Sequence, residues 1–277
     1  MHGAPGCQNS DWHCDSTGDV RLFDSPWAQD LLTGLWRKIA QRYKDYSIIA
    51  GYDILNEAVT EKTRALNKLY QRIISTIRGQ GDQHIIFLEG NNWGSDLEFL
   101  DEFDDPHIVY SIHFYHPIQI TFNVAPNLVY PGNIDGERWD RARLEGELRR
   151  YYAYARKRNR PVYVGEFGVA IKCPSCNQEL TWLKDIISIF EKFNFHWTYW
   201  TYKAVGFPFL PNGIYQIFDN TIWIRRFNYL FGWEKFPSYL REKKENKNVL
   251  LDTLKTQHFI RNEKIVAILR KPLKISI

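Results

Sequence analysis

The pattern of apolar and polar positions switches repeatedly between two periods along the chain. Apolar residues recur at helical spacing from Trp27 to Tyr46, directly after Ser25-Pro26, and this predicts a helix. The following segment, from Ser47 to Leu55, is short and mostly apolar, as expected of a parallel strand that is buried on both faces. Because helical and strand patterns then alternate, the sequence predicts a parallel sheet covered by helices.

The alternation continues to about residue 201. The further predicted strands are residues 84–89, 107–113, 161–166 and 196–201, and the further predicted helices are residues 62–78, 95–103, 137–159 and 178–193. Polar or aromatic side chains follow successive strands, which is how a (β/α)8 barrel assembles one site from many strands. The sequence has no Gly-x-Gly-x-x-Gly or Walker A segment, so a barrel is favoured over an open nucleotide-binding sheet. The predicted fold class is therefore α/β, of the (β/α)8 TIM-barrel type.

Composition supports a large core and argues against several classes of partner. The 277 residues are 44% hydrophobic, and the aromatic share of 16% suits a cleft that stacks flat rings. The formal charge of +4, from 36 basic and 32 acidic residues, is too balanced to indicate nucleic acid binding. No run of about 18 apolar residues is present to span a membrane. The first residues, Met1 to Gln8, have no signal-peptide pattern.

The four cysteines form two local pairs, Cys7 with Cys14 and Cys173 with Cys176. An even number of cysteines is compatible with local disulfides in an oxidising compartment, and equally with free thiols. A shared zinc site is the less favoured alternative, because it requires the two loops to meet in space.

Two glutamates, Glu57 and Glu166, follow predicted strands and are the candidate catalytic pair. Hydrolysis of a glycosidic bond with retention requires one carboxyl to protonate the leaving oxygen and another, about 5 Å away, to attack the anomeric carbon. Taken alone, an Asn-Glu step is often a helix cap and a Gly-Glu-Phe-Gly segment is often a turn. Finding both at the ends of strands weakens those structural interpretations.

Four motifs together resemble glycoside hydrolase family 5 between Met1 and about Lys203. They are Tyr-Asp-Ile-Leu-Asn56-Glu57, Ser-Ile-His113-Phe-Tyr115, Val-Gly-Glu166-Phe-Gly and Tyr-Trp200-Thr-Tyr-Lys, in the order in which that family has them. The resemblance implies a barrel of retaining β-glycosidases that uses no metal and no organic cofactor. It also implies β-linked polysaccharide or oligosaccharide as the binding partner.

The resemblance also implies a role for each matching position. Glu57 resembles the acid/base, Glu166 the nucleophile and Asn56 the residue that binds the sugar 2-hydroxyl, whereas His113 and Tyr115 resemble the pair that contacts the sugar and holds the nucleophile. Further candidate substrate contacts are His2, Trp12, Trp93 and Trp200, of which Trp200 resembles the platform beneath the cleaved sugar. Glu89 also ends a strand, but in that family this strand forms cleft wall, so we interpret Glu89 as a hydrogen-bond acceptor.

The chain departs from the family pattern at its start, because His2 matches a position just after the family's third strand. We therefore expect a barrel domain, residues 1–247, that lacks the first two βα units and the family's strand-two arginine. The exposed edges of an incomplete barrel predict that the chain associates with itself. Two alternatives are that the chain is part of a longer gene product, or that its tail closes the barrel. The basic tail, residues 248–277, contains possible strands at 259–260, 265–269 and 273–277.

The function expected from these features is hydrolysis of β-1,4-glucan by an endoglucanase (cellulase). Mannan, β-1,3-glucan and small β-glucosides are alternative substrates, and a weakly active sugar-binding fragment is an alternative of another class. An extracellular location is expected for the full-length protein.

Overall fold

The computed structural model describes residues 1–11, 14, 18–171, 178–205, 211–217, 241, 248, 252 and 255–270. The chain forms two compact units. The first comprises Met1–Phe114, Gly146–Glu166 and Phe190–Thr198, and the second comprises Tyr115–Glu145, Phe167–Ile189 and Tyr199–Ile277. Among the helices in the described ranges, none has both the length and the apolar character needed to cross a bilayer.

The helices and strands alternate along the described chain. In order they are α1 (Pro26–Tyr43), β1 (Gly51–Asp53), α2 (Thr63–Arg78), β2 (Ile85–Glu89), α3 (Asn91–Gly94), β3 (Ile108–His113), α4 (Ile118–Thr121), β4 (Gly132–Ile134), β5 (Glu137–Trp139), α5 (Arg141–Lys157), β6 (Val162–Glu166), α6 (Gln178–Lys192), β7 (His196–Trp197), β8 (Lys203–Val205), β9 (Tyr215–Ile217), β10 (Ile260–Arg261) and α7 (Glu263–Leu269).

The first unit is built on a parallel sheet with strand order β1-β2-β3-β6-β7. All six residues of β3 are buried, as a central strand covered on both faces requires. The register between β3 and β6 shifts after Ile112, so that His113 pairs with Glu166 rather than with the preceding glycine. This irregularity brings two candidate site residues side by side at the carboxyl ends of their strands.

Helices α1 and α2 pack against each other beside this sheet. Ser25 caps α1 by accepting a hydrogen bond from the Ala28 amide, with Pro26 in the first turn, as the sequence predicts. The Trp36 indole of α1 donates to the Ile54 carbonyl, which fixes the helix to the end of β1. Helix α2 buries a continuous apolar face, and each large aliphatic side chain on it contributes about 1.5–3 kcal/mol through burial. The buried aliphatic residues of α2 are Leu66, Leu69, Ile73, Ile74 and Ile77.

The second unit contains the antiparallel hairpin of β4 and β5, the short helix α4 and a small sheet of order β10-β9-β8. Its core includes Tyr130, whose hydroxyl donates to Asp185 at 2.9 Å. Helix α7 begins where the Asn262 side chain accepts a hydrogen bond from the Ile265 amide.

Three segments adopt a secondary structure other than the predicted one. Residues 137–139 form strand β5, and the helix predicted for 137–159 begins at Arg141. Residues 95–103 form turns rather than a helix, because side chains take up their backbone hydrogen-bonding groups. Asp96 accepts a hydrogen bond from the Glu98 amide. The Asn67 side chain donates to the Phe99 carbonyl and accepts from the Asp101 amide. Residues 265–269 belong to helix α7 rather than to a strand, because the Asn262 cap starts a helix there. The possible strand at 273–277 lies outside the described residues.

Candidate active site

Three side chains of the first unit meet at the carboxyl ends of its strands. The His113 Nδ1 atom lies 2.8 Å from Oε1 of Glu57 and 3.6 Å from Oε2 of Glu166. Ligand-type atoms of Glu57, His113 and Glu166 all lie within 4.8 Å of one another. The fold therefore brings the two candidate carboxylates together, as the strand-end positions predict.

The absence of a side chain at Gly165 leaves room for this arrangement. Gly165 precedes Glu166, and a Cβ atom at Gly165 would lie 3.1 Å from both His113 Nε2 and Ser111 Oγ. Any larger residue would displace the imidazole. His113 is nearly buried, and its position between the carboxylates depends on the register shift after Ile112 and on this glycine.

The backbone of Glu57 is in the left-handed region, with φ of 53°. Non-glycine residues adopt this conformation at a cost, so the surrounding structure must hold it. The Glu57 amide donates to Oε2 of Glu89 at 2.7 Å, and the Glu57 carbonyl accepts from the Asn9 side chain at 2.9 Å. The Gln8 side chain donates to the neighbouring Asn56 carbonyl at 3.0 Å. Hydrogen bonds therefore hold the amide and the carbonyl of Glu57 as well as the carbonyl of Asn56 before it.

The charges in this cluster are strongly coupled. Burial alone would lower the pKa of His113, but the carboxylates of Glu89, Glu57 and Glu166 raise it to about 10. The imidazole is therefore a cation near neutral pH. Burial raises the pKa of Glu89 well above its usual range, against the opposing effect of the His113 charge, and burial likewise raises the pKa of Asp53.

The profile of the cellulase family (glycosyl hydrolase family 5) matches residues 7–206. The chain belongs to this family. The match covers the five parallel strands described above and both candidate carboxylates, so the α/β fold of the first unit is that of a family 5 TIM barrel over the matched region.

Relatives of known name agree with this membership. The chain is 31% identical over 223 residues to a β-xylosidase of Phanerodontia chrysosporium, covering 75% of this chain and 44% of that protein. It is 27% identical over 238 residues to endoglucanase C of Acetivibrio thermocellus, covering 75% of this chain and 68% of that protein.

A solved structure shows the same fold. Cel5A of Thermotoga maritima, in complex with cellobiose, is 27% identical with a TM-score of 0.59, covering 70% of this chain and 64% of that one. The same Cel5A has also been solved with mannotriose. The chain therefore spans about two thirds of the length of endoglucanase C and of Cel5A, and less than half of the length of the β-xylosidase.

Three more candidate substrate contacts lie in the first unit of this family 5 chain. The His2 Nε2 atom is 3.8 Å from Oε1 of Glu166, and the His2 side chain is half exposed. Asn56 is buried, and its Nδ2 atom has no hydrogen-bond partner among the described residues. Trp93 lies in the turn after β2, with 37% of its surface exposed. Their roles stay predictions.

The other candidate aromatic residues lie elsewhere in the chain. Tyr115 and Trp200 belong to the second unit, where the Tyr115 ring packs on Phe122 at 5.0 Å and the Trp200 amide donates to the Phe167 carbonyl. Trp200 is 40% exposed. Trp12 lies outside the described residues.

The structure bears on one of the two cysteine pairs. Cys7 and Cys14 are not joined by a disulfide, so the disulfide alternative does not hold for this pair in the structure. The Cys14 thiol contacts Oε1 of Gln8 at 3.4 Å. Cys173 and Cys176 lie outside the described residues.

The sequence predicts only a hydrogen-bond acceptor role for Glu89. The structure shows it accepting the Glu57 amide, which agrees with the predicted acceptor role, but it also lies 3.4 Å from His113 Nε2. The only sequence signal was its position at a strand end before glycine.

Among the described residues, the grouping able to hold a metal is Glu57, His113 and Glu166. We assign no metal there, because His113 already donates a hydrogen bond to Glu57.

Proposed function

We propose that this protein hydrolyses β-glycosidic bonds with retention of configuration, with Glu166 as nucleophile and Glu57 as acid/base. The observation that carries the proposal is the approach of these two carboxylates to within 4.8 Å at the carboxyl ends of one parallel sheet, from β6 and from the loop after β1. Retaining glycosidases have their two carboxyl groups about 5–5.5 Å apart, whereas inverting enzymes need about 6.5–9.5 Å to admit a water.

In the first step, a Glu166 carboxylate oxygen attacks the anomeric carbon while Glu57 gives its proton to the glycosidic oxygen, which leaves as the free hydroxyl of the aglycone. In the second step, Glu57 accepts a proton from water, and the resulting hydroxide oxygen attacks the anomeric carbon. The bond to Glu166 breaks, and both carboxyl groups return to their starting states. This sequence requires no redox partner and no metal.

The substrate that we favour is β-1,4-glucan, attacked within the chain. Support comes from endoglucanase C and from the cellobiose complex of Cel5A, since the chain is 27% identical to each and shares the fold of Cel5A. The mannotriose complex and the β-xylosidase make mannan and β-xylosides the leading alternatives. We assign sugar binding to Asn56, His2, Trp93, Tyr115 and Trp200, of which Trp93 and Trp200 offer partly exposed aromatic faces.

A panel of soluble polymers tests the proposal. Carboxymethylcellulose, β-mannan, β-1,3-glucan and xylan are incubated with the protein, and new reducing ends are compared with the fall in viscosity. An early fall in viscosity on carboxymethylcellulose supports endo action on β-1,4-glucan. The anomeric configuration of the first product, followed by proton NMR, distinguishes retention from inversion. Binding of cello-oligosaccharide without turnover would favour the sugar-binding alternative instead.

We also propose that the enzyme acts outside the cell, because polymeric glucan cannot cross a membrane unaided. Immunodetection of the protein in culture medium and in cell extracts tests this location. We assign it no nucleic acid partner, because its basic and acidic residues nearly balance.

A further inference from the structure

The carboxyl group of Glu89 is fully buried beneath the catalytic pair, and its side chain has no exposed surface. A group in that position cannot touch a substrate in the cleft. Burying an ionisable carboxyl is costly unless it is paired and hydrogen-bonded, so its contacts indicate what it does.

Both oxygens of Glu89 face groups that define the position of Glu57. Oε2 accepts the Glu57 backbone amide at 2.7 Å, and Oε1 lies 3.4 Å from Nε2 of His113. The opposite ring nitrogen of His113 lies 2.8 Å from Oε1 of Glu57. Glu89 therefore reaches the backbone of Glu57 directly and its side chain through one imidazole.

We propose that Glu89 is a positioning residue that fixes the backbone and, through His113, the carboxyl of Glu57 for proton transfer. The inference rests on the acid/base role proposed above for Glu57. It assigns no bond-making step to Glu89.

The conformation of Glu57 explains why such a residue is needed. With φ at 53°, the peptide is in the left-handed region, which is strained for a non-glycine residue. The hydrogen bond that the Glu57 amide donates to the buried Glu89 carboxyl group offsets this strain. Without it, the loop after β1 would relax toward an ordinary conformation and carry the Glu57 carboxyl away from the sugar oxygen.

The turn after β2 closes over Glu89 and ties the same two loops together. Gly94 has φ of 71°, and a Cβ atom there would lie 3.0 Å from Oε2 of Glu89. The Asn91 side chain accepts from the Thr60 amide at 2.9 Å and donates to the Thr60 carbonyl at 2.8 Å. The Glu57 loop is thus held at two points by residues that follow β2.

The test compares Glu89→Leu, Glu89→Gln and the control Glu61→Gln, which changes an exposed glutamate on the same loop. Each is assayed on phenyl β-cellobioside, whose leaving group needs a proton, and on 2,4-dinitrophenyl β-cellobioside, whose leaving group does not. Rates are compared as kcat/KM, which reports the first step alone, because Glu57 also acts as the base of the second step on both substrates. A misplaced acid costs about 10²-fold in kcat/KM. We expect that loss for Glu89→Leu on the phenyl substrate only. Glu89→Gln retains an oxygen acceptor for the amide and should recover much of the activity, and Glu61→Gln should match the parent.

Equal losses on both substrates, or no loss on either, would overturn the positioning role. If Glu89→Leu does not fold, Glu89→Gln decides the matter by NMR, because replacing the carboxylate must lower the pH at which His113 titrates. An unchanged titration overturns the link through His113. A parent that hydrolyses neither glycoside refutes the proposed function, whereas the His113 titration still tests the contact with Glu89.

Discussion

The imidazole of His113 lies between Glu57 and Glu166, with its Nδ1 atom 2.8 Å from the first carboxylate and 3.6 Å from the second. One cation therefore contacts two carboxyl groups. The proposed reaction needs Glu57 protonated and Glu166 ionised at its start. Because His113 is hydrogen-bonded to Glu57 but lies 3.6 Å from Glu166, it orients the proposed acid/base more tightly than the proposed nucleophile.

Replacing the nucleophile should remove hydrolysis. In Glu166→Gln an amide takes the place of the attacking carboxylate, so we expect kcat to fall by at least about 10³-fold. Initial rates on an aryl β-cellobioside, beside cellobiose binding by calorimetry, measure the effect and check that the site remains formed. A rate within about tenfold of the parent would contradict the assignment.

Removing the acid should affect substrates unequally. Glu57→Ala is expected to slow substrates with poor leaving groups by about 10²–10⁴-fold and to affect the first step on activated aryl glycosides far less. Rates of the first step are followed as a burst of phenol release across a series of leaving groups. A slope against leaving-group pKa that is the same in the variant and the parent would exclude Glu57 as the acid.

The stability of the fold should depend on the charge of His113. Its pKa in the folded protein is raised to about 10, above the value of about 6.5 expected in the unfolded chain. The charges facing it are Glu57, Glu89, Glu166 and Asp53. Its contribution is therefore fully present below about pH 6.5 and is lost as the pH rises toward 10.

Urea unfolding of the parent and of His113→Gln across that range measures this contribution. The difference in free energy of unfolding should shrink as the pH rises. His196→Gln, which changes an exposed histidine, is the control for replacing an imidazole by an amide. A gap that widens with pH would mean that His113 is neutral in the folded protein.

Helix α1 has an apolar stripe on its outer face, formed by Trp27, Leu31 and Leu35, which are 68%, 45% and 38% exposed. These residues are spaced four apart and lie on one side of the helix. Because contiguous exposed apolar surface favours association, we expect the protein to form dimers or larger species through this stripe. Light scattering of Leu31→Gln should show a shift toward monomer, and the matched control Arg37→Gln should not. A parent that is monomeric at every concentration would exclude self-association.

The sequence predicts the parallel sheet and the meeting of Glu57 with Glu166, because strand ends in α/β folds converge and the Asn56-Glu57 and Gly165-Glu166 steps both follow apolar runs. It wrongly predicts a helix at residues 95–103, where Asn67 contributes hydrogen bonds from a distant helix. It also misses the link from Glu89 to Glu57, since contacts across neighbouring loops depend on backbone angles that residue type alone does not determine.

The short length of β1 has a consequence for how the protein loses activity. This strand contributes three residues, paired with β2, and Glu57 follows it, whereas Glu166 ends a strand that has β3 and β7 on either side. Local opening of a protein begins where the fewest backbone hydrogen bonds must break. The amide of Tyr52 should therefore exchange with deuterium sooner than that of Val164. On warming, we expect Glu57 to separate from Glu166 first, so that the proposed activity is lost while most of the sheet remains folded.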